Sequence, residues 1–363
     1  MAVKICFLPW VASGLFFFYS FRMQQDVPTT IFAGDQSSQW HCQQAGIWSR
    51  DGVDMETAPA QSILTTLFDQ PRWLEVHYLY DQRGSELFEA ISELPEYYLT
   101  RTENAILEAS ARQIIEAAPA KCIVELGAGY SKKTVHLLTE QLSHRGPSVF
   151  APIDVSISGL LASREAVRRD FPHLQFQGLH ARYEDGFSAV DKQLPTLFVF
   201  LGSSIGNFNL TEFPRFFRAL TNAMGANDFL LLGADRLKPV HILESAYNDS
   251  RGITAEFILN VFRNTNRLLK SNFDLNKVRY RSWFNPEWRR IEMYAVATQD
   301  QEIFFPTADT GFRWKKDEQI LVEISRKFEP ERLQEQLRFF GLTPVAHFTD
   351  SQEWFSVLLF KKS

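Results

Sequence analysis

Apolar and polar positions along this chain change period several times, and the changes mark its elements. From Ser62 the pattern is helical, through ILTTLFDQP and then RWLEVHYLYDQRGSELFEAISELPEYY. Leu87, Phe88, Ile91 and Leu94 fall at i, i+1, i+4 and i+7, so SELFEAISEL is an amphipathic helix that Pro95 ends. Thr100 and Glu103 have capping-box spacing for the next helix, which runs to about Ala118 and is closed by Pro119. The helical period is lost over Lys121 to Thr134, KCIVELGAGYSKKT, where Ile123 and Val124 lie in a short apolar run suited to a buried parallel strand. Gly127 and Gly129 follow in a turn, then helix-forming sequence from Ser131 to Gln141. The strand-then-helix order repeats in VFAPIDVS with SISGLLASREAVRR, and in LPTLFVFLGSSIGNFN with EFPRFFRALTNAM, before the apolar strand DFLLLGAD.

After Asp235 the alternation breaks. KPVHILESAYNDS and ITAEFILNVFRNTNRLLKS read as two helices, and VRYRSWFNPEWRRIEMYAVATQDQEIFF as a β-hairpin. The chain therefore divides into an N-terminal extension (1–60), a helical block with an α/β core (61–236), an inserted α+β segment (237–327) and a C-terminal return to the core (328–363). That return is a helix ending at Gly341, then two strands joined by a polar turn.

Strand, glycine turn and helix make a nucleotide-binding corner, because free amides and a helix N-terminus face whatever lies against the glycines. A dinucleotide fingerprint would place its third glycine at Lys132, which argues against NAD. About 27 residues beyond Gly127, Asp154 ends the second strand, where a carboxylate accepts both ribose hydroxyls or, alternatively, caps the following helix. The strand from about Thr196 to Leu201 ends in a Gly- and Ser-rich turn beside the same crevice. There Gly202 and Gly206 allow close backbone approach, and Asn207 offers a carbonyl oxygen and two N–H donors. Capping of the helix near Thr211 is the other use of Asn207.

Composition narrows the class. A length of 363 residues with 45% hydrophobic and 22% charged residues is that of a globular protein, and a net charge of -5 without a basic run excludes a nucleic-acid footprint. Three scattered cysteines, Cys6, Cys42 and Cys122, make neither a disulfide framework nor a zinc site, so no metal is expected and the reducing cytoplasm is the default compartment. The first 22 residues, with ICFLPWVASGLFFFYSF after Lys4, resemble a short signal or anchor. Pro9 and Gly14 interrupt the run, and it reads instead as an upstream extension with Met23 the true start, without stable membrane association. Residues 24–60 lack apolar periodicity and read as flexible. Oligomeric state is not readable from the pattern.

The stretch YDQRGSELFEAISELPEYYLTRTE carries a more specific signal. Tyr80-Asp81, Gly84-Ser85, Leu87-Phe88, Leu94 to Tyr98 and Thr100 to Glu103 resemble the N-terminal block of the histidine Nα-methyltransferases of ergothioneine biosynthesis, and the likeness continues from about Tyr80 to the end. The resemblance implies a class I methyltransferase: a Rossmann-like, mostly parallel sheet closed by a C-terminal antiparallel strand pair. It also implies S-adenosylmethionine as methyl donor, no metal, and L-histidine as a small-molecule partner. The implied product is Nα,Nα,Nα-trimethylhistidine, hercynine.

Carried over residue by residue, the resemblance gives Gly127, Lys133 and Asp154 to the cofactor, with Gly202, Arg182 and Tyr183 at its edge and Tyr97 bordering both ligands. Asn207 and Tyr247 would hold the amino and carboxylate end of the amino acid; Tyr80, Phe88 and Phe257 would line the pocket. Glu323 and Ser325 would recognise the imidazole, with Met293 beside it. Tyr80 and Asn207 are the implied catalytic pair. Periodicity alone also permits Phe88, Phe257 and Met293 as core, Tyr247 as a surface tyrosine and Glu323 as a solvated charge.

One departure concerns adenine. The family has an acid just before an aromatic after the third strand; here Arg182 precedes Tyr183, and an arginine accepts no hydrogen bond. Either Glu184 or Asp185 substitutes, or backbone and the Tyr183 ring hold adenine. Two other functions stay open from sequence: methylation of a different amino-acid-derived amine, and a non-catalytic binding protein.

Overall fold

The computed structural model describes residues 30–32, 39–44, 46–50, 59–128, 133–146 and 148–363. The apolar N-terminal run, Gly129 and the first residues of the helix expected from Ser131 lie outside them. Seven strands form the central sheet in the order Leu342–Thr349, Phe355–Lys362, Phe229–Asp235, Thr196–Phe200, Cys122–Glu125, Val149–Phe150, Gln175–Phe176. The last five pair parallel, and Phe355–Lys362 runs antiparallel to both its neighbours, as the expected closing pair requires. Cys122–Glu125, Thr196–Phe200 and Phe229–Asp235 are buried along their whole length, which is why they read as unbroken apolar runs. Strand order reverses between the first two of these, and a ligand crevice opens at their carboxyl ends.

The second and third strands each split. Ala151 and Pro152 interrupt the second, since proline gives no N–H to a ladder. Ile153–Asp154 then leaves the main sheet and pairs with Gly178–His180. Ile47–Arg50 adds to that edge in parallel and Trp40–Gln44 closes it as a hairpin. Part of the stretch that reads as flexible is therefore ordered. Its anchors are few, with Trp40 and Ile47 buried and Phe32 set edge-on to Trp48 at 5.0 Å, too sparse to show as a period.

The segment after Asp235 builds a second layer. Val278–Asn285, Arg290–Ala297 and Gln319–Arg326 form an antiparallel sheet, with the small hairpin Gln301–Phe305 and Thr310–Trp314 beyond it. Helix Ile253–Leu269 packs on that sheet. The N-terminal helices Pro59–Phe68 and Gln82–Ser92 stand with this layer, where the sequence division had joined them to the core. Asn260 Nδ2 donates to Asp81 at 2.8 Å, Asn264 Nδ2 donates to the Tyr78 carbonyl at 2.9 Å, and the Leu74 amide donates to the Leu321 carbonyl at 2.9 Å. Asp81 also caps its own helix by accepting from the Gly84 amide at 2.8 Å.

Thr100 and Glu103 do not form a capping box. Their helix, Tyr98–Ala117, begins two residues before Thr100 without a side-chain cap, so both lie inside its first turns. Asn207 is no cap either; Asn209 Oδ1 accepts from the amides of Thr211 and Glu212, both at 2.9 Å, at the head of helix Glu212–Ala223.

The second layer docks through one tight contact. The chain leaves the core at Asp235 and returns at Phe328, whose amide donates to the Asp235 carbonyl at 2.8 Å. Beside this gate, a Cβ on Gly206 would lie 2.9 Å from the Arg326 carbonyl oxygen and 3.1 Å from its nitrogen. Both neighbours are backbone, so neither can rotate away. Gly206→Ala is expected to destabilise the protein by about 1–3 kcal/mol as an overpacking change. Urea unfolding of the purified variant measures this, and an unchanged midpoint would show that the strand is free to shift.

Candidate active site

At the crevice, Gly127 has φ +81, and a Cβ there would meet the Tyr183 hydroxyl at 3.0 Å. The position is thus bare for two reasons, backbone conformation and space for an approaching group. Tyr183 is fixed by Phe200 and Phe216, with ring centroids at 5.7 and 5.9 Å. Asp154 ends the neighbouring strand, and its charge, second to burial, raises the Tyr183 hydroxyl above its ordinary range. Asp154 is not the cap of the next helix: Ser156 Oγ accepts from the Gly159 amide at 3.2 Å, while Asp154 Oδ1 accepts from the Ser156 amide at 2.8 Å. A bare glycine, an acid and a half-buried phenol at successive strand ends fit the adenosine of a nucleotide-like cofactor.

Lys133 reaches the same mouth and pairs with Glu103, which is fully buried. Both carboxylate oxygens of Glu103 also accept from the Gly202 amide at 2.9 Å. By spacing Glu103 reads as half of a capping box; in the structure it holds Lys133 and the Gly202 turn in register. Arg182 is exposed, Asp185 pairs with Arg50 at 2.9 Å, and Glu184 lies 3.7 Å from Arg215. Both acids offered by the sequence as substitutes for the missing one therefore lie beside arginines.

The other expected residues converge beside this corner. Tyr80 sits edge-on to Phe88 and Phe257 at 5.8 and 5.6 Å; Phe88 meets Tyr97 at 6.3 Å, and Tyr97 meets Tyr247 at 5.9 Å. Asn207 Nδ2 donates to Glu323 Oε1 at 3.0 Å, and Met293 pairs across the strands with Glu323. Tyr247 Oη lies 2.8 Å from Ser325 Oγ. These contacts gather side chains from the turn after the fourth strand, the N-terminal helices and the inserted sheet into one cluster. A cleft of about 380 Å³ adjoins it, with Asn207 and Glu323 at one end and Glu75, Glu212 and Arg290 along its walls.

Behind the hollow is a network that the sequence reading missed. Lys327, fully buried, lies 2.8 Å from Asp235 Oδ2 and donates to Tyr247 Oη at 2.8 Å and Ser325 Oγ at 2.9 Å. Tyr98 Oη donates to Asp235 Oδ2 at 2.8 Å, and Lys238 lies 2.5 Å from Asp235 Oδ1. A signal for Lys327 existed: Glu323, Ser325 and Lys327 follow the period of two that lines one face of a strand. Burial lowers the Lys327 ammonium and Asp235 opposes it. Burial also pushes Glu323 up to about 8, with Lys327 and the Asn207 amide pulling it back. The hydroxyls of Tyr80, Tyr97 and Tyr247 are all raised, mainly by burial and further by nearby acids or tyrosines.

Fold and site together define a class I S-adenosylmethionine-dependent methyltransferase: the sheet order, the bare corner with its acid, and a second hollow opening on the same strand ends. Among the described residues no cluster of metal-ligating side chains occurs, and no helix is long and apolar enough to cross a membrane. Residues 59–362 match the model of the histidine-specific, S-adenosylmethionine-dependent methyltransferases, and the chain belongs to that family. It is 36% identical over 305 residues to the histidine N-alpha-methyltransferase of Mycobacterium tuberculosis (strain CDC 1551 / Oshkosh), covering 83% of this chain and 94% of that one. Identity to the enzyme of the same name from Mycolicibacterium smegmatis is 36% over 77% of this chain and 87% of that one. Ergothioneine biosynthesis protein 1 of Neurospora crassa is 33% identical over 82% of this chain and 34% of its own length.

The raised Glu323 makes a stability prediction. The folded protein keeps this proton up to about 8, whereas the ordinary value is 4.5. Between those values the native state binds more protons than the unfolded state, so stability falls as pH rises through that window. Glu323→Gln removes the loss. Its Tm should exceed that of the wild type by a margin that grows from a pH of about 5 to about 8 and then levels off. Calorimetry across that range checks it, and a margin independent of pH would mean that Glu323 is solvated.

Proposed function

We propose that this protein transfers methyl groups from S-adenosylmethionine to the α-amino nitrogen of L-histidine three times, giving Nα,Nα,Nα-trimethylhistidine (hercynine) on the way to ergothioneine. The observation that carries the reading is the single wall made by Asn207, Glu323, Ser325 and Tyr247, facing the Tyr80, Phe88, Tyr97 and Phe257 rings. Segment 237–327 supplies most of that wall and is proposed as the substrate-recognition unit.

When bound, S-adenosylmethionine supplies a methyl group on a good sulfonium leaving group. The chain's own residues must then orient and dehydrate the amine. Gly127, Asp154 and Tyr183 would receive the adenosine end, with Lys133 and the Gly202 turn at the methionine end. Asn207 and Tyr247 would grip the amino and carboxylate end of histidine, and Tyr80 and Tyr97 would face its nitrogen. Fixing the lone pair near 3 Å from the carbon removes much of the entropic barrier. The amine must be unprotonated; an ordinary α-amino pKa of about 7.7–8 leaves a usable neutral fraction. Aromatic rings attract the cation as it forms yet take no proton from it.

Glu323 and Ser325 supply the choice of substrate. Glu323 keeps its proton up to about 8 before histidine binds, so it can pass that proton to the bare nitrogen of an imidazole and hold the imidazolium by a charge-assisted hydrogen bond, which an indole, with one N–H and no second nitrogen, cannot form. Incubation of the purified protein with L-histidine and S-adenosylmethionine should yield mono-, di- and trimethylhistidine by mass spectrometry, with the trimethyl form as end point. Glu323→Ala should lower kcat/KM for histidine by about 10- to 100-fold, the range for a hydrogen bond to a charged group, while tryptophan turnover does not fall. Absence of any methylated histidine from a protein that binds the cofactor would overturn the proposal.

A further inference from the structure

The short helix that carries Tyr183 into the cofactor corner is held in place from the N-terminal end of the chain. Helix Tyr183–Phe187 has five residues, too few to be stable through its own hydrogen bonds. Arg50 Nη1 donates to Asp185 Oδ1 at 2.9 Å, in the middle of it. Just beyond it, the Asp191 amide donates to the Ile31 carbonyl at 2.8 Å, and Phe32 bridges to Val190. His180 braces the other flank. A carbonyl only accepts, so His180 Nε2 donates to the Val155 oxygen at 3.1 Å, and Nδ1 is left to accept from Ser49 Oγ, 3.5 Å away. Val155 follows Asp154 directly. One N-terminal segment therefore reaches both sides of the adenosine corner, the phenol through Asp185 and the acid through His180. Ile31, Phe32, Ser49 and Arg50 all precede residue 59, where the family match begins.

We propose that Arg50 is a positioning residue for cofactor binding: through Asp185 it holds helix Tyr183–Phe187, and the Tyr183 ring with it, where the adenosine end of S-adenosylmethionine needs them before the ligand arrives. The inference rests on the cofactor corner and is independent of which amine is methylated. Such a brace acts by preorganisation, because an element left loose must be ordered by the ligand, and that ordering is subtracted from affinity. Its placement matters more here than in a corner with a free acid at the helix head. Arg182 accepts no hydrogen bond, and Glu184 and Asp185 lie beside arginines. The Tyr183 ring and the backbone of the helix are then what the corner sets against the base, and both go where the helix goes. The Arg50 and Asp185 side chains keep 33% and 30% of their exposure, so the pair adds little to global stability. Its effect falls on the ligand.

Calorimetric titration of the full chain with S-adenosylhomocysteine tests this. Arg50→Met keeps an apolar stem and drops the charge; its Kd should rise roughly three- to tenfold, the scale of one charge-assisted hydrogen bond partly screened by solvent. KM for S-adenosylmethionine should rise with it, kcat at saturating cofactor should change less, and Tm should barely move. A merely structural pair would do the reverse, lowering Tm and leaving Kd at the wild-type value, and that result would overturn the proposal. A charge exchange supplies the second arm. Arg50→Asp and Asp185→Arg should each weaken binding, and the two together should recover most of the loss. A double exchange as weak as Asp185→Arg alone would mean that Asp185 acts on the base itself, and the brace would be refuted. Should Asp185→Arg not fold, Arg50→Lys takes its place: its Kd should lie between those of wild type and Arg50→Met, and a Kd no better than that of Arg50→Met counts against the proposal. Wild-type protein that binds no S-adenosylhomocysteine would overturn the cofactor corner and the brace together.

Discussion

The carboxylate of Asp235 ties four parts of the chain to one point. Tyr98 comes from the start of the helix that packs on the sheet, Asp235 from the end of the fifth strand, Lys238 from the beginning of the insertion and Lys327 from its end. All four are buried or nearly so. A charge in such a place is costly unless each oxygen is satisfied, and removing one partner of a buried pair typically costs about 3–5 kcal/mol. The insertion is thus clamped at both of its ends to the same aspartate. Its orientation over the crevice is an electrostatic constraint as much as a packing one.

With the gate fixed, the rest of the hollow follows by geometry. The Gly206 turn accepts the backbone of Arg326, which sets the height of the strand Gln319–Arg326 above the fourth core strand. Asn207 and Glu323 then face each other across that junction, one from each layer. The N-terminal helices, bonded to helix Ile253–Leu269 through Asp81 and Asn260, bring Tyr80 and Phe88 in from the opposite side. Lys238 is lowered to about 8 by burial, so at neutral pH it keeps its proton and its hold on Asp235.

Much of this was legible because the α/β core repeats one physical motif. Buried parallel strands read as apolar runs, and their ends carry the corner glycine and Asp154, so both sheet and crevice follow from pattern. The substrate hollow was legible only by resemblance, since Tyr247, Phe257 and Met293 are indistinguishable from surface or core residues by period. What stayed hidden has a common cause. Glu103, Asp235 and Lys327 act through partners between 30 and 137 positions away, and a local rule finds at most a local use for each. Glu103 fitted a capping box, although its helix starts too early to use it. Asn209, not Asn207, took the capping role, because two asparagines two residues apart are interchangeable to a sequence rule and distinct in three dimensions. The 40–50 hairpin escaped notice because a handful of buried residues anchors it on an edge built by a remote strand.

Where the charges are placed matters as much as their number. On the proposed reading, repeated methylation ends at a permanently cationic nitrogen, so the pocket must tolerate growing positive charge without holding the starting amine protonated. A free carboxylate at the nitrogen would satisfy the first demand and violate the second, because it favours the ammonium form. The observed layout avoids this. Glu103 is matched by Lys133 and Asp235 by two lysines, while Glu323 stands on the wall assigned to the ring. Glu323, which accepts from Asn207 at 3.0 Å beside the space assigned to the nitrogen, is pushed up to about 8 by burial and so is uncharged at neutral pH; the other neighbours there are Asn207 and the Tyr80, Phe88 and Tyr97 rings. Rings attract a cation through their faces and cannot be protonated by it. A single aromatic wall can therefore serve the neutral amine, its methylated intermediates and the final quaternary ion without changing its own state.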